Sequence, residues 1–491
     1  MKESPLKLKK SVGFFTGLVV FTVILFAPVP DGLSIEGWRT AAVGLLMAVW
    51  WISEALPISV TALLPIVLLP VLDVTTISEA TTPYANPLIF LFMGGFIITI
   101  AMERWDLHRR IALNIVRLVG TKPTSIIWGF ILASAFLSMW VSNTATALMM
   151  LPIGISILKL VEDQRSSTDK INFEIVLMLS IAYGCNIGGM ATLIGTPPNA
   201  LLAGFMSENY GFEIGFAQWM TVGLPLVIIA LPLLYTVLTK VVYPIKIDEL
   251  PGGEKLIQDQ LKRLGSISNA EKKVAAVFAV TALMWMLRPF FANLVPGLSD
   301  AGIAVAAGVS LFVIPQNLSQ GQFLLSWDDA EQLPWGVLIL FGGGLSLASA
   351  ISATGLAKWI GSGVQFFGGW PVIMLVGLSV LIIVFLTEMT SNTATTAAFL
   401  PILASVAIGL GENPLLLAVP AALGASCAFM LPVATPPNAI VYGSGKITIP
   451  EMSKAGLWLN ILFIILLTAA SYSLIDVVFG IQPGVLPAWA S

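Results

Sequence analysis

Five residues, Ser142-Asn143-Thr144-Ala145-Thr146, recur as Ser391-Asn392-Thr393-Ala394-Thr395. Both copies interrupt apolar stretches and carry amides and hydroxyls but no charge. A second string, Thr196-Pro197-Pro198-Asn199-Ala200, recurs as Thr435-Pro436-Pro437-Asn438-Ala439. Asn amides and Thr hydroxyls donate to carboxylate oxygens. A polar tip between two helices adds free backbone N–H groups and the positive end of a helix dipole, which suits an anion. Two such tips facing each other would hold one carboxylate each, which favours a short dicarboxylate over a monocarboxylate.

Proline removes a donor and clashes with the preceding turn, so each Thr-Pro-Pro-Asn is expected to break its helix and free carbonyl oxygens before it. Ser138, Ser142 and Asn143 lie near the first break; Thr387, Thr390 and Asn392 lie near the second. Their neutral oxygens are of the kind that coordinate Na⁺. No Lys or Arg lies at either motif. A dianion buried there uncompensated is very costly; co-bound cations remove that cost and couple its movement to a sodium gradient. If Ser, Asn and Thr merely capped helices, one copy would be explained, but not paired copies each followed by a broken helix.

These motifs need elements to hold them. Of the 491 residues, 57% are hydrophobic and 10% are charged, against about 25% charged in soluble domains. Apolar stretches of membrane-spanning length, roughly 17–25 residues, recur along the chain. Met1–Lys10 is basic, and the apolar run after it lacks a small-residue cleavage site, so it reads as a first membrane helix rather than a signal peptide. With the N-terminus inside, spans are expected at about 12–29, 39–53, 56–72, 86–103, 174–206 and 217–240. After a polar linker, 241–270, with Pro251-Gly252-Gly253 inside it, a seventh span follows, and then 300–316, 334–352, 414–442 and 456–479. The segments 124–160 and 370–410 read as re-entrant hairpins with the Ser-Asn-Thr motifs at their tips, since non-helical backbone is tolerated at membrane depth only where protein or water lines it. In this tracing Arg104, Arg109, Arg110, Arg117, Lys122 and Arg165 are cytoplasmic. Only Arg39, Arg288 and Lys358 of the 24 Lys and Arg residues fall elsewhere, as the positive-inside rule requires. The C-terminus ends outside.

The hairpins therefore enter from opposite faces. Leu151-Pro152-Ile153 recurs as Leu400-Pro401-Ile402, and Pro87 with Gly94-Gly95 is echoed by Pro334 with Gly342-Gly343. The expected fold is an all-α polytopic membrane protein of about eleven transmembrane helices plus two re-entrant hairpins in an inverted repeat. Such repeats place the binding site at the midplane where broken helices meet.

Other residues carry less. Glu388 is a candidate proton-linked acid, though a carboxylate bonded to backbone is the favoured reading. Glu54 reads as ordering a helix turn near the cytoplasmic face, and the glycine runs as close packing. Cys185 and Cys427 lie in apolar segments and read as small packing residues. The single His108 supplies neither a His-based metal site nor a catalytic one. No paired acids, His cluster or nucleophile–base set lies in the spans, so an enzyme is not expected. No basic patch with interleaved aromatics points to nucleic acid. Short loops without an obvious glycosylated ectodomain suit a bacterial plasma membrane.

The paired Ser-Asn-Thr motifs, the two Thr-Pro-Pro-Asn-Ala strings and Trp50-Trp51-Ile52-Ser53-Glu54-Ala55-Leu56-Pro57 together resemble the divalent-anion:sodium symporter family, the sodium-coupled di- and tricarboxylate transporters. The match runs from about Trp50 to Asn438. The resemblance implies a homodimer in the lipid bilayer, with a scaffold and a transport domain that moves like an elevator. Residues 1–123 and 271–369 would be the scaffold parts of the two repeats, joined through the 241–270 linker. Residues 124–240 (hairpin, broken helix, next span) and 370–491 would be the transport parts. The resemblance further implies that Asn143, Thr144, Asn392 and Thr393 bind the substrate carboxylates, assisted by Thr196, Thr435 and Pro436. One sodium site would use Ser138, Ser142, Asn143 and Gly195; the other, Thr387, Thr390, Asn392 and Ala434. The implied activity is Na⁺-coupled symport of C4 dicarboxylates such as succinate, malate or fumarate. Some family members are cation-independent exchangers and look to carry an Arg just after Ser-Asn-Thr-Ala; here both copies read Thr at that point. A citrate or sulfate carrier on the same fold is a further alternative.

Overall fold

A chain this apolar can satisfy its backbone in lipid only by forming helices or a closed barrel, and it forms helices. A computed structural model describes residues 5–120, 122–162, 168–247, 252–291, 294–363 and 370–490; Met1, Arg165 and Pro251, used in the reading above, lie outside them. The first half runs α1 (Pro5–Phe26), α2 (Ile35–Ser53), α3 (Ile58–Thr61), α4 (Leu64–Val71), α5 (Ile77–Thr81), α6 (Pro87–Arg104), α7 (Leu107–Val119), α8 (Pro123–Ser138), α9 (Asn143–Glu162), α10 (Thr168–Gly189), α11 (Pro197–Tyr210) and α12 (Phe216–Thr236). The linker holds α13 (Gly253–Arg263). The second half runs α14 (Asn269–Phe291), α15 (Asp300–Val313), a short antiparallel ribbon of β1 (Pro315–Asn317) and β2 (Gln322–Phe323), α16 (Trp327–Ala330), α17 (Trp335–Ala353), α18 (Leu356–Gly363), α19 (Val372–Thr387), α20 (Asn392–Gly409), α21 (Leu415–Ala425), α22 (Pro436–Gly443), α23 (Ile449–Ser471) and α24 (Leu474–Phe479).

The expected all-α class holds apart from that ribbon. The order long helix, short amphipathic helix, interrupted pair, broken helix, long helix occurs as α6 to α12 and again as α17 to α23. Among the described residues, seven helices are long and apolar enough to cross a membrane. They include α20, while α15 and α21 fall in the shorter apolar class, so length alone does not count crossings. The span expected at 56–72 is two pieces, α3 and α4; Pro65 sits in the first turn of α4, where its missing N–H is not needed. The polar linker is not all loop. Its α13 is docked on α7 through Arg109 to Gln260 at 3.1 Å, and next to it Arg110 pairs with Glu271 at 2.8 Å. His108, on α7, turns its Nδ1 to the Met102 carbonyl at 3.0 Å, and burial pushes its pKa below the ordinary value.

The two broken helices run through the middle. Every residue of α21 is buried, and so is most of α10; a helix that is apolar all round belongs in such a place. The pair α8 and α9 packs on α10, and α19 and α20 pack on or near α21. The halves interlock, α10 and α9 against α22, and α11 against α20 and α21. By contrast α14 is mostly open, with Val280, Leu283 and Phe290 exposed, as a lipid-facing helix would be. Close approach is secured by small residues: a Cβ at Gly94 would overlap the Ala304 backbone, and one at Gly343 the backbone of Ala62.

The longer gap, between α21 and α22, is tied down from α19. Glu388 is 3% exposed and accepts from the N–H groups of Phe429 (2.7 Å), Met430 (2.9 Å) and Leu431 (3.1 Å) and from Asn460 Nδ2 (2.8 Å). This is the backbone-bonded reading of Glu388. Removing the acceptor strands buried donors at about 1–3 kcal/mol each. Glu388→Leu is therefore expected to destabilise the detergent-purified protein by about 3 kcal/mol or more, seen as a sharply lower thermal midpoint. Glu388→Gln, which swaps one acceptor for an NH₂ facing donors, should fall in between; a Leu variant melting with the wild type would refute this anchor. Gly94→Val and Gly343→Val, which must separate backbones, are each expected to lose about 1–3 kcal/mol by the same melting measurement.

Candidate functional site

The two Ser-Asn-Thr copies occupy the same place in their halves. Each Asn opens a helix, Asn143 for α9 and Asn392 for α20. Each is held from the helix before it: the Ser138 hydroxyl donates to Asn143 Oδ1, and the Thr387 hydroxyl to Asn392 Oδ1 at 2.6 Å. With the amide oxygen engaged, the amide NH₂ points the other way, and neither Asn143 Nδ2 nor Asn392 Nδ2 has a partner among the described residues. The copies differ one step further in. Thr390 and Thr395 share a 2.6 Å hydrogen bond. Thr146, the counterpart of Thr395, has a buried hydroxyl without a partner among the described residues, because Val141 stands where the other half has Thr390.

The broken helices end earlier than the prolines suggest. α10 stops at Gly189 and α21 at Ala425, well before Pro197 and Pro436. Both prolines instead sit in the first turn of the following helices, α11 and α22, where a fixed φ favours helix initiation. The asparagine of each string closes the gap. Asn199 Nδ2 donates to the carbonyls of Gly189 (3.2 Å) and Thr192 (2.8 Å). Asn438 Nδ2 donates to those of Ala428 (3.1 Å) and Leu431 (3.1 Å), at the same spacing. The carbonyls of Gly189, Thr192, Ala428 and Leu431 thus each accept a hydrogen bond from protein. Those of Gly195 and Ala434, nearest the cavity, accept no hydrogen bond among the described residues.

One cavity of about 780 Å³ lies between the halves. Ser142, Asn143, Thr144, Gly195, Thr196, Ser391, Asn392, Thr393, Ala434, Thr435 and Pro436 all line it. Ser138, Thr387 and Thr390 sit behind this wall, buried; Ser138 and Thr387 reach it through the amides they orient, whereas Thr390 bonds the Leu386 carbonyl and the Thr395 hydroxyl. The opposite wall comes from other elements, with Phe96, Thr99, Ile100 and Val337. Among the described residues, the charged ones that line the cavity are Glu54 and Glu103, with no Lys or Arg. Glu54 caps the end of α2 at φ 51°, so the helix-turn reading holds, but it also faces the cavity.

The sequence reading passed over Asn186. This residue of α10 is 1% exposed, and its Nδ2 donates across to the second gap: Ala428 O and Thr435 Oγ1 at 3.2 Å, Asn438 Oδ1 at 3.3 Å. A lone amide inside an apolar helix was the available signal. The role of Asn199 and Asn438 as gap closers had no signal beyond membership of the repeat.

Such a site has anion chemistry at the two helix starts and neutral oxygens behind them. Comparison with known proteins agrees in kind. Residues 8–479 match the family described as the sodium:sulfate symporter transmembrane region. The sodium-dependent dicarboxylate transporter SdcS of Staphylococcus aureus (strain bovine RF122 / ET3-1) is 44% identical over 489 residues, covering 98% of this chain and 94% of that protein. The same protein from strain USA300 is 43% identical with the same coverage. A solved structure of Neisseria gonorrhoeae MtrF, described as illuminating a class of antimetabolite efflux pumps, shares the fold at a TM-score of 0.59 and 14% identity, covering 99% of this chain and 98% of that one. The chain is an integral membrane transporter and not an enzyme, and it belongs to the sodium:sulfate symporter transmembrane family.

Proposed function

We propose that the protein carries a C4 dicarboxylate (succinate, malate or fumarate) together with Na⁺. The observation that carries this reading is that both Ser-Asn-Thr copies open into one cavity with no basic residue in its wall among the described residues. One carboxylate would take the start of α9 with the Asn143 amide and Thr144 hydroxyl; the other, the start of α20 with Asn392 and Thr393. Thr196, Thr435 and Pro436 would close around the chain between them. Helix starts and neutral donors orient a dianion but leave its charge uncompensated. Cations supply the compensation. Ser138, Ser142, Asn143 and the Gly195 carbonyl would hold one, and Thr387, Thr390, Asn392 and the Ala434 carbonyl the other. In each set a hydroxyl and an amide oxygen already converge within hydrogen-bond reach, which is the donor chemistry a small hard cation takes. The dicarboxylate transport named for the 44%-identical relatives supports the same reading.

Movement would be elevator-like. The two interrupted pairs, the broken helices, α12, α23 and α24 would travel as a body past a scaffold of the remaining helices. The apolar wall of Phe96, Ile100 and Val337 gives such a body a surface to slide on. The scaffold would pair in a homodimer, with eleven spans, re-entrant hairpins entering from opposite faces, the N-terminus in the cytoplasm of a bacterium and the C-terminus outside its plasma membrane.

Sulfate, named in the family description, is the second reading; one small dianion would not engage both helix starts at once. In proteoliposomes, uptake of radiolabelled succinate is expected to depend on an inward Na⁺ gradient and to fall to background when choline replaces Na⁺. Equal uptake in choline would sink symport in favour of exchange, and suppression by excess sulfate but not by malate would favour the sulfate reading. Asn143→Ala and Asn392→Ala should each abolish succinate uptake while the purified proteins keep the wild-type melting profile; normal uptake by both variants would remove the proposed substrate site.

A further inference from the structure

Hydrogen-bond polarity can be followed inward from two backbone carbonyls to the cavity. Ala428 O and Leu431 O can only accept, so the Asn438 amide must turn its NH₂ to them. Its Oδ1 then faces Asn186, which must answer with NH₂; Ala428 O, a second acceptor, faces that same NH₂. The third acceptor of the Asn186 amide is Thr435 Oγ1 at 3.2 Å. The Asn438 backbone N–H, which can only donate, also points at Thr435 Oγ1, at 3.3 Å. The Asn186 NH₂ has two hydrogens for three acceptors, so Thr435 Oγ1 takes a share of one while the Asn438 N–H claims its other lone pair, which leaves the hydroxyl's own hydrogen for the direction that remains. Thr435 lines the cavity.

We propose that Asn186 is a positioning residue for transport: it fixes the Thr435 hydroxyl as a donor aimed at the anion in the cavity. The proposal rests on the dicarboxylate reading of that cavity. It also makes the two ends of the site unequal. Thr196, the counterpart of Thr435, has no side-chain cap and makes no hydroxyl hydrogen bond among the described residues, and Ala425 stands where the repeat would place a second Asn186. One end of the substrate meets a hydroxyl committed to donating; the other meets one free to turn either way.

The test is a double-mutant cycle on succinate uptake in proteoliposomes, with KM and maximal rate measured separately at saturating Na⁺. In Asn186→Asp the new carboxylate cannot donate, so the Thr435 hydroxyl turns back toward it. KM is expected to rise about ten-fold, equivalent to about 1.4 kcal/mol. Thr435→Val should raise KM to at least the same extent, and the double variant should be no worse than Thr435→Val alone. Asn186→Ala gives the same cycle should the Asp variant not fold. A merely structural role would lower yield or melting temperature, yet the Asn186 substitution would change KM by the same factor with Thr435 intact or replaced, and that result overturns the proposal. So does an unchanged KM in both Asn186 variants while Thr435→Val is impaired. A wild-type KM in Thr435→Val would instead remove Thr435 from the substrate site, and the proposal with it.

Discussion

A helix that stops at membrane depth leaves backbone groups with no water to pair them, and much of the architecture follows from that constraint. α10 and α21 both stop within the packed interior. The carbonyls released there are collected by Asn199 and Asn438. The N–H groups of the second gap are collected by Glu388. In the first gap, Thr192 turns its hydroxyl to Met139 O at 2.6 Å while accepting from the Gly195 N–H at 3.0 Å. With these demands met, open polar groups remain at the starts of α9 and α20 and on the cavity side of each gap, where a ligand can reach them.

The two halves meet this constraint by different means although their motifs match. The first gap, from Met190 to Thr196, is short, and Thr192, Asn199 and Trp219, whose Nε1 donates to Met190 O at 3.1 Å, serve it from its own half. The second, from Ser426 to Thr435, is longer and draws support from outside its own half. Tyr183 of α10 donates to Phe429 O at 2.6 Å and Asn186 braces Thr435 one turn later, while within the second half Asn460 of α23 steadies Glu388. Thr390 with Thr395 against Val141 with Thr146 adds a difference beside the cation-type oxygens. Sequence symmetry therefore does not carry two equivalent half-sites, and a transporter with unequal half-sites can bind the two ends of one substrate with different strictness.

Much of this was legible in the sequence, because long apolar runs, paired polar interruptions and repeated strings each carry a local physical signal. The starts of α9 and α20 lie within the motifs expected at the tips, and the motif residues meet at one cavity alongside residues of other elements. The helix ends were less legible. Proline marks a boundary without saying on which side of it the helix lies: in Thr196-Pro197-Pro198 and its copy it begins a helix, while α10 and α21 end earlier, beside Gly189 and Ala425. Asn186 went unread for another reason. Its partners lie roughly half the chain away, and a contact of that range leaves no trace in local pattern.

Charge completes the picture. Among the described residues, the cavity wall contains Glu54 and Glu103 and no Lys or Arg. Its acidic members lie on α2 and α6, across from the motif residues. A cavity of that sign draws in cations and repels a bare dianion. An arginine beside Asn143 or Asn392 would hold a carboxylate without help and let the anion bind alone. Neutral amides, hydroxyls and helix starts cannot do so in a low dielectric; they give direction but not compensation. For the proposed symport, this makes the absence of a basic residue the coupling device itself. Under that proposal the anion would be stable in the site only while cations occupied the oxygens behind it, and each would make the other's binding favourable.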